Sequence, residues 1–427
     1  MTRDGGHGNL TLVNQDKTCP IYPWPENARV AIISGSYRAH MSYQENIWAE
    51  RLALRGYQVR VFCPETRLGD RRPDRYEIQG VETRGIPNRL LYAESEVGSL
   101  VLRMNPHIIL WFGPPQRFGD SLTKLTSDIT APVVVFMGQN RRMQAFDWRM
   151  KGLRFSQRMK AQAYRFIRGP VIGRAMALAD LTIANTAETP EILSLYAQSP
   201  DDLSRVLPTP LGFDPDAFGY HASRRVRIRQ EFKFKEAAVV ALLSSRFAPE
   251  KAASIQLILD AFSAAAKRND NLHLLVAGLD GDAISAQFRK DVAAHPNGHR
   301  IHCTAFAQRA RLGDLYHGAD IAVFARPSIS CQEALGTGAY GLFSDDGSMD
   351  WLLKSEMSGL TFKAGSREHL TEALLMASDR LQTGDAIAAR ENRAQRSEWL
   401  NYDHIIDSVL SHLCRSVPRL SNSVPER

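Results

Sequence analysis

Two stretches of the chain combine residue types that could grip a phosphorylated ligand. The first is Ser244-Ser245-Arg246-Phe247-Ala248-Pro249-Glu250-Lys251, directly after the apolar run 239–243. Arg246 and Lys251 flank a proline turn that can aim both cations at one point. Arginine offers a planar fork and lysine a point charge, a pairing that suits a diphosphate. A helix begins here, so its first amides point to the same place. The spacing alone is equally explained by two solvated loop cations; the position between a strand and a helix speaks for the anion site. The second stretch runs from Arg326 to Gly338, after the apolar run Ile321–Phe324. Its small residues at a helix start let phosphate oxygens approach backbone amides, with Ser330 and Cys331 at the opening turn. Glu333 follows in the first turns, where a carboxylate can accept two hydroxyl hydrogen bonds, as a ribose offers. Taken alone, Glu333 is as well explained by a favourable charge near a helix N-terminus.

A third stretch is basic. Residues 141–174 hold ten Arg or Lys (Arg141, Arg142, Arg149, Lys151, Arg154, Arg158, Lys160, Arg165, Arg168, Arg174) against one acid, Asp147, with aromatic residues interleaved. This segment accounts for the whole positive excess of a chain with net charge +7. A basic helix with aromatics suits an anionic bilayer surface or a lipid-diphosphate acceptor. It is equally a solvated helix whose apolar side (Met150, Leu153, Met159, Ala163, Phe166) packs on the first domain. No recognised nucleic-acid fold accompanies the charge, so no nucleic-acid partner is expected.

The elements that position these residues alternate. The run 30–33 is a strand ending in Ser34-Gly35-Ser36. A helix over about 43–55 follows, with Gly56 at its C-terminal cap, and then a strand at 58–63. Further buried strands are expected at 108–111, Val133–Met137 and Leu181–Ala184. The pattern restarts at 239–243, followed by a helix with Ile255, Ile258, Leu259 and Phe262 on one face. Strands at 272–277, Ile321–Phe324 and 341–343 continue it. Such alternation implies parallel sheets covered by helices on both faces. Pro208, Pro210, Gly212 and Pro215 cluster where one domain would give way to the next. The expected organisation is a leader at 1–27, a first domain at 28–210 and a second at 211–387. A C-terminal helix at 388–415 would return to the first domain, and a tail would occupy 416–427.

Composition fits this division. At 427 residues, 44% hydrophobic and 23% charged, the chain suits two ordinary globular domains and excludes collagen-like, coiled-coil or wholly disordered classes. No apolar run approaches the ~18–20 residues of a membrane span. Cys19, Cys63, Cys303, Cys331 and Cys414 are scattered, which argues against a disulfide framework or a zinc site and for a cytoplasmic setting.

The second half resembles a known family. The run LLSSRFAPEK, LILDAF, LHLLVAG, ADIAVFARPS, EALGTG, FSDDG and SGLTF is similar in order and spacing to the donor domain of glycosyltransferase family 4, the retaining enzymes with the GT-B fold. In the first half, SYQENIWAERLALRGYQVRVF is similar to that family's first βαβ unit. ADLTIANTAETPEIL with VLPTPLGFDPDAF resembles its crossing into the second domain. The resemblance spans roughly residues 30–410. It implies an α/β architecture of two Rossmann-like, doubly wound domains facing a cleft. It also implies transfer of a sugar from a nucleotide diphosphate sugar, with UDP or GDP favoured, to a glycan, glycolipid or lipid-linked acceptor. Arg246 and Lys251 match the pair that grips the diphosphate and would be the catalytic cations. Glu333 matches the ribose-binding glutamate. Ala305 and Phe306 fall where the base is met, Ser330 and Cys331 where amides meet phosphate oxygens, and Gly278 joins the donor set.

Two departures stand out. The family's other motif glutamate would fall at Ala325, and the loop from Pro327 to Glu333 is shorter than the family's. Sugar binding must therefore differ, or turnover is lost and the protein serves as a nucleotide-sugar-binding scaffold. No histidine ends the strands at 108–111 and Val133–Met137; Phe112-Gly113 and Gly138-Gln139 stand there instead. Gly35, Ser36, Gln139 and Asn140 are the acceptor-side candidates. No D-x-D follows a strand to hold a metal, and Asp345-Asp346-Gly347 reads as a turn, so neither metal nor cofactor is expected. The resemblance also implies a role in cell-envelope or exported polysaccharide synthesis, from the cytoplasm or the inner face of the membrane.

Overall fold

The computed structural model describes residues 24–25, 27–39, 43–68, 73–83, 95–138, 155–346, 348–382 and 386–416. The expected leader and tail therefore lie almost wholly outside the described residues. So do Gln139, Asn140 and the part of the basic stretch up to Arg154.

Two parallel sheets organise the chain. The first contains β1 (Arg29–Ser34), β2 (Gln58–Pro64), β3 (Glu77–Val81), β4 (Ile108–Phe112), β5 (Val133–Met137), β6 (Leu181–Ala184) and β7 (Val206–Pro208). Their order is β3-β2-β1-β4-β5-β6-β7. The second contains β8 (Val239–Ser244), β9 (Leu272–Leu279), β10 (Ile301–Ala305), β11 (Ile321–Phe324), β12 (Tyr340–Ser344) and β13 (Gly359–Phe362). Their order is β10-β9-β8-β11-β12-β13. The central strands are continuous apolar runs because both faces are buried. Val30 and Ile32 enter one core and Ala31 and Ile33 the other. In the second sheet Val239, Ala241 and Leu243 divide in the same way from Val240 and Leu242.

Strand order reverses between β1 and β4 and again between β8 and β11. Such reversals open a crevice beyond the carboxyl ends of the strands, because the flanking connections leave to opposite faces. Ser34-Gly35-Ser36 lies at the first crevice, and the loops 245–251 and 325–330 lie at the second.

The expected single helix over 388–415 is two helices. Ala386–Arg396 stays on the second sheet: fully buried Arg390 donates to the carbonyls of Ala319, of Tyr316 at 2.7 Å and of Thr337 at 2.9 Å. A break follows at Glu398–Leu400, and Asn401 is extended. The second helix, Tyr402–Ser416, buries Tyr402, Ile405, Ile406, Val409, Leu410 and Leu413 in the same core as Val30 and Ile32. One unbroken helix could not both cap the Arg309–Gly318 and Ser330–Gly336 helices and cross to the other sheet.

Asp214, on the crossing between sheets, is buried between two arginines. It pairs with Arg51 from the first sheet's side and with Arg309 from the second's. Arg51 also reaches Asp216 at 2.8 Å, and Arg309 reaches Glu50 at 3.7 Å.

Candidate active site

β8 delivers its loop directly to the second crevice. Arg246 extends into solvent, with Glu250 at 3.9 Å and both side chains more than half exposed. A pair so exposed is worth little and leaves the guanidinium available to a ligand. Pro249–Lys251 forms one 3-10 turn, closed by the Lys251 amide on the Ala248 carbonyl at 2.8 Å. Lys251 then starts the Ala252–Ala266 helix. Burial lowers the Lys251 pKa, and repulsion from Arg246 and Arg326 lowers it further.

Arg326 is a cation that sequence reasoning quoted but did not assign. It sits just past β11, and its Nη1 donates to the Glu250 carbonyl. It therefore ties the β11 loop to the turn that carries Lys251, and sets a third positive charge beside the other two. Three cations facing one exposed carboxylate form a site for a polyanion, since their mutual repulsion is relieved when the ligand binds. The available signal was its place just after a strand at the switch point.

Gly278 acts from behind this loop. It lies inside β9, which runs on past the expected end at 277, with φ at +112°. A Cβ there would stand 1.9 Å from the Ser245 carbonyl oxygen. The Ser245 amide bonds the Ala277 carbonyl at 3.0 Å. Gly278 thus lets β9 press against the backbone that aims Arg246, a supporting place distinct from direct ligand contact.

Glu333 is buried on the short Ser330–Gly336 helix. Burial pushes its carboxyl up to about 7, against the lowering effects of the Ser330 hydroxyl and Arg309. Its Oε2 has no hydrogen-bond partner among the described residues. An unmet acceptor in a buried place costs free energy until a donor arrives, which a ribose hydroxyl would be. Buried Tyr316 bonds Ser244 at the end of β8, and Ser330 also lowers the pKa of the Tyr316 phenol. Ser244, Tyr316, Ser330 and Glu333 thus form a polar cluster beneath the loop.

The amides of Ser330 and Cys331 are turned into their own loop. Ser330 donates to the Ser328 hydroxyl at 3.3 Å and Cys331 to the Ser328 carbonyl at 3.2 Å. Cys331 is fully buried, and burial pushes its thiol far up, so it is no nucleophile. Phe306 stands exposed just past β10, an open aromatic face at the crevice's flank. Asp345 accepts from the Ala364 amide at 2.7 Å, just past β13, and Asp346 from the Ser348 amide of its own turn at 3.1 Å, so both carboxylates serve the backbone of these loops. Among the described residues no group of three or more His, Cys, Asp or Glu could hold a metal ion.

The first sheet's crevice is built of hydroxyls. Gly35 is buried, and a Cβ on it would meet the Gln116 Oε1 at 2.6 Å. Ser36 donates to Glu45 at 3.1 Å, and Ser34 does so at 2.9 Å. Glu45, absent from the sequence-derived candidates, is buried in the first turn of the Gln44–Leu54 helix, and burial raises its pKa. Across the cleft, Ser348 donates to Glu188 at 3.3 Å, which brings a loop after β12 against one after β6.

Residues 225–382 match the family described as glycosyl transferases group 1. No curated protein matches the chain in sequence. Sucrose-phosphate synthase of Thermosynechococcus elongatus is similar in structure, 15% identical, over 93% of this chain and 100% of that one, with a TM-score of 0.65. HepE of Anabaena, solved with UDP and glucose, is 13% identical over 90% and 99%, with a TM-score of 0.64. The catalytic domain of starch synthase IV from Arabidopsis thaliana, bound to ADP and acarbose, is 11% identical over 94% and 100%, with a TM-score of 0.60. The two facing Rossmann-like sheets are the GT-B arrangement. The family match lies wholly within the second half of the chain.

Proposed function

We propose that this GT-B protein, with its glycosyltransferase domain at residues 225–382, transfers a sugar from a nucleotide diphosphate sugar to a hydroxyl of a glycan or lipid-linked acceptor. The observation that carries this reading is the convergence of Arg246, Lys251 and Arg326 at the strand-order reversal of the second sheet, with the unmet carboxylate oxygen of Glu333 on the same crevice. The cations would hold the diphosphate, and Glu333 would accept from the ribose. Phe306 is placed to offer its face to the base. Uridine or guanosine is the favoured nucleoside, and the UDP held by HepE supports uridine.

In this mechanism the acceptor hydroxyl attacks the anomeric carbon from the face the diphosphate leaves. The bond from that carbon to the phosphate oxygen breaks, and its electron pair stays on the oxygen. The acceptor's proton passes to that oxygen, and configuration is retained. Arg246 and Lys251 stabilise the negative charge that builds there, which is where such sites lower the barrier most. No protein nucleophile and no metal is needed. Isolation of a covalent glycosyl-enzyme would overturn this route.

A thermal-shift series with UDP, GDP, ADP and TDP, alone and as sugar conjugates, tests the donor reading. A nucleotide at 100 times its dissociation constant stabilises by about 2.7 kcal/mol. One base should stabilise the wild type and leave Arg246→Ala/Lys251→Ala unmoved. Stabilisation by no nucleotide would reject it. A second reading, a nucleotide-sugar-binding scaffold without turnover, draws on Ala325 at the other motif glutamate's position and on the inward-turned amides of Ser330 and Cys331. Nucleotide binding with neither transfer nor hydrolysis of the bound sugar nucleotide would favour it.

A further inference from the structure

The helix Phe155–Ile167 was open to two readings, and its exposure decides against packing of its apolar side on the first sheet. Phe155 is 81% exposed, Phe166 69%, Met159 56% and Ile167 42%. Four of the eleven large apolar side chains exposed among the described residues thus sit on one helix of 13 residues. Single exposed apolar residues are ordinary on a soluble protein, but a cluster marks a contact surface. The residues that do pack inward are Ala161 and Tyr164, the latter edge-on to Tyr196 at 6.4 Å. At about 100° per residue, Phe155, Phe166, Met159 and Ala163 share roughly 80° of arc, and Ala161 with Tyr164 occupies the other side. Exposed Arg158 and Arg165 border the apolar arc on one edge, and exposed Lys160 with Ile167 on the other. No acid occurs anywhere from Trp148 to Ala179.

We propose that this face docks the protein in the interface of an anionic bilayer, with the helix lying in the membrane plane. An apolar arc bordered by cations lets the rings and the methionine enter the acyl boundary while Arg158, Arg165 and Lys160 meet phosphate headgroups. Charge complementarity selects this occupant: an arc of Met, Ile and Phe offers nothing to a nucleic-acid backbone, and its cationic borders repel a second copy of themselves. None of the described helices is long and apolar enough to cross a membrane, so attachment here is peripheral. The inference does not depend on the donor reading.

Co-sedimentation of the full chain with vesicles tests it. Wild type should bind vesicles of phosphatidylglycerol and phosphatidylethanolamine at least about tenfold more tightly than vesicles of phosphatidylcholine, less so at high salt. Phe155→Ser/Phe166→Ser and, separately, Arg158→Glu/Lys160→Glu should each lose about tenfold of that binding. Both variants should keep the wild-type melting temperature and nucleotide shift, which separates this test from that of the donor site. Equal binding to the two vesicle types, or unchanged binding by both variants, overturns the proposal. So does a wild-type dimer that Phe155→Ser/Phe166→Ser dissolves in the absence of vesicle binding, or RNA binding without vesicle binding.

Discussion

The two crevices are built at equivalent strand-order reversals but carry opposite chemistry. The second sheet's edge gathers Arg246, Lys251 and Arg326 on two loops joined by the Arg326 bond to the Glu250 carbonyl. The first sheet's edge gathers Ser34 and Ser36 on the buried carboxyl of Glu45. One edge concentrates positive charge on two linked loops, the other pairs hydroxyls with a buried carboxyl. A shared fold thus leaves chemistry to the residues placed past β1 and β8, as expected when sites are grafted on a common frame.

The sharpest way to break this contrast is to strip the cationic edge. Arg246→Ala/Lys251→Ala should lower kcat by about 10²–10³-fold or more, as loss of preorganised charge stabilisation does. Ser36→Ala should leave the nucleotide-induced thermal shift intact. Steady-state kinetics alongside thermal shifts read both, and equal loss of nucleotide binding in the two variants would erase the distinction.

The backbones beneath the loops offer a second comparison. Gly278→Ala forces a Cβ to 1.9 Å from a carbonyl at a φ of +112°, so it should cost about 2–4 kcal/mol in urea unfolding and weaken nucleotide binding. Gly35→Ala meets the movable end of Gln116 at 2.6 Å and should cost about 1 kcal/mol.

Glu333 gives a pH signature. Its folded carboxyl lies at about 7, above the ordinary 4.5. The folded state therefore holds this proton more tightly, and the group's contribution to stability is present below 4.5 and is lost as pH rises through about 7. Ribose hydroxyls donate more strongly to the anion than to the protonated carboxyl, so donor binding should strengthen over the same window. Titration calorimetry with a sugar nucleotide should show that trend in the wild type. Glu333→Gln should bind about tenfold more weakly at alkaline pH and show no trend through that window. The mildest change is Glu45→Gln, which keeps an acceptor for the serines. It should raise the acceptor KM by up to about fivefold while leaving nucleotide binding unmoved, since a neutral hydrogen bond is worth about 1 kcal/mol.

The sequence by itself determined the alternation of strand and helix, the restart of the pattern at β8 and the placing of Arg246, Lys251 and Glu333 beside strand ends. Those features are local: an apolar run, a helical period and a turn residue lie within a dozen positions of one another. The edge strands β3, β7, β10 and β13 escaped it because they are short and partly exposed, and so lack the continuous apolar run of a central strand. The tertiary structure alone brought Arg326 to the Lys251 turn, Arg309 and Arg51 to Asp214, and Tyr316 to Ser244. These partners are far apart in the chain, and long-range contacts leave no periodic trace. It alone, too, decided the fate of the Phe155–Ile167 helix. Helical periodicity reveals that one side is apolar, but only the neighbouring elements determine which side is covered, and here they cover Ala161 and Tyr164 and leave Phe155, Met159 and Phe166 to the solvent.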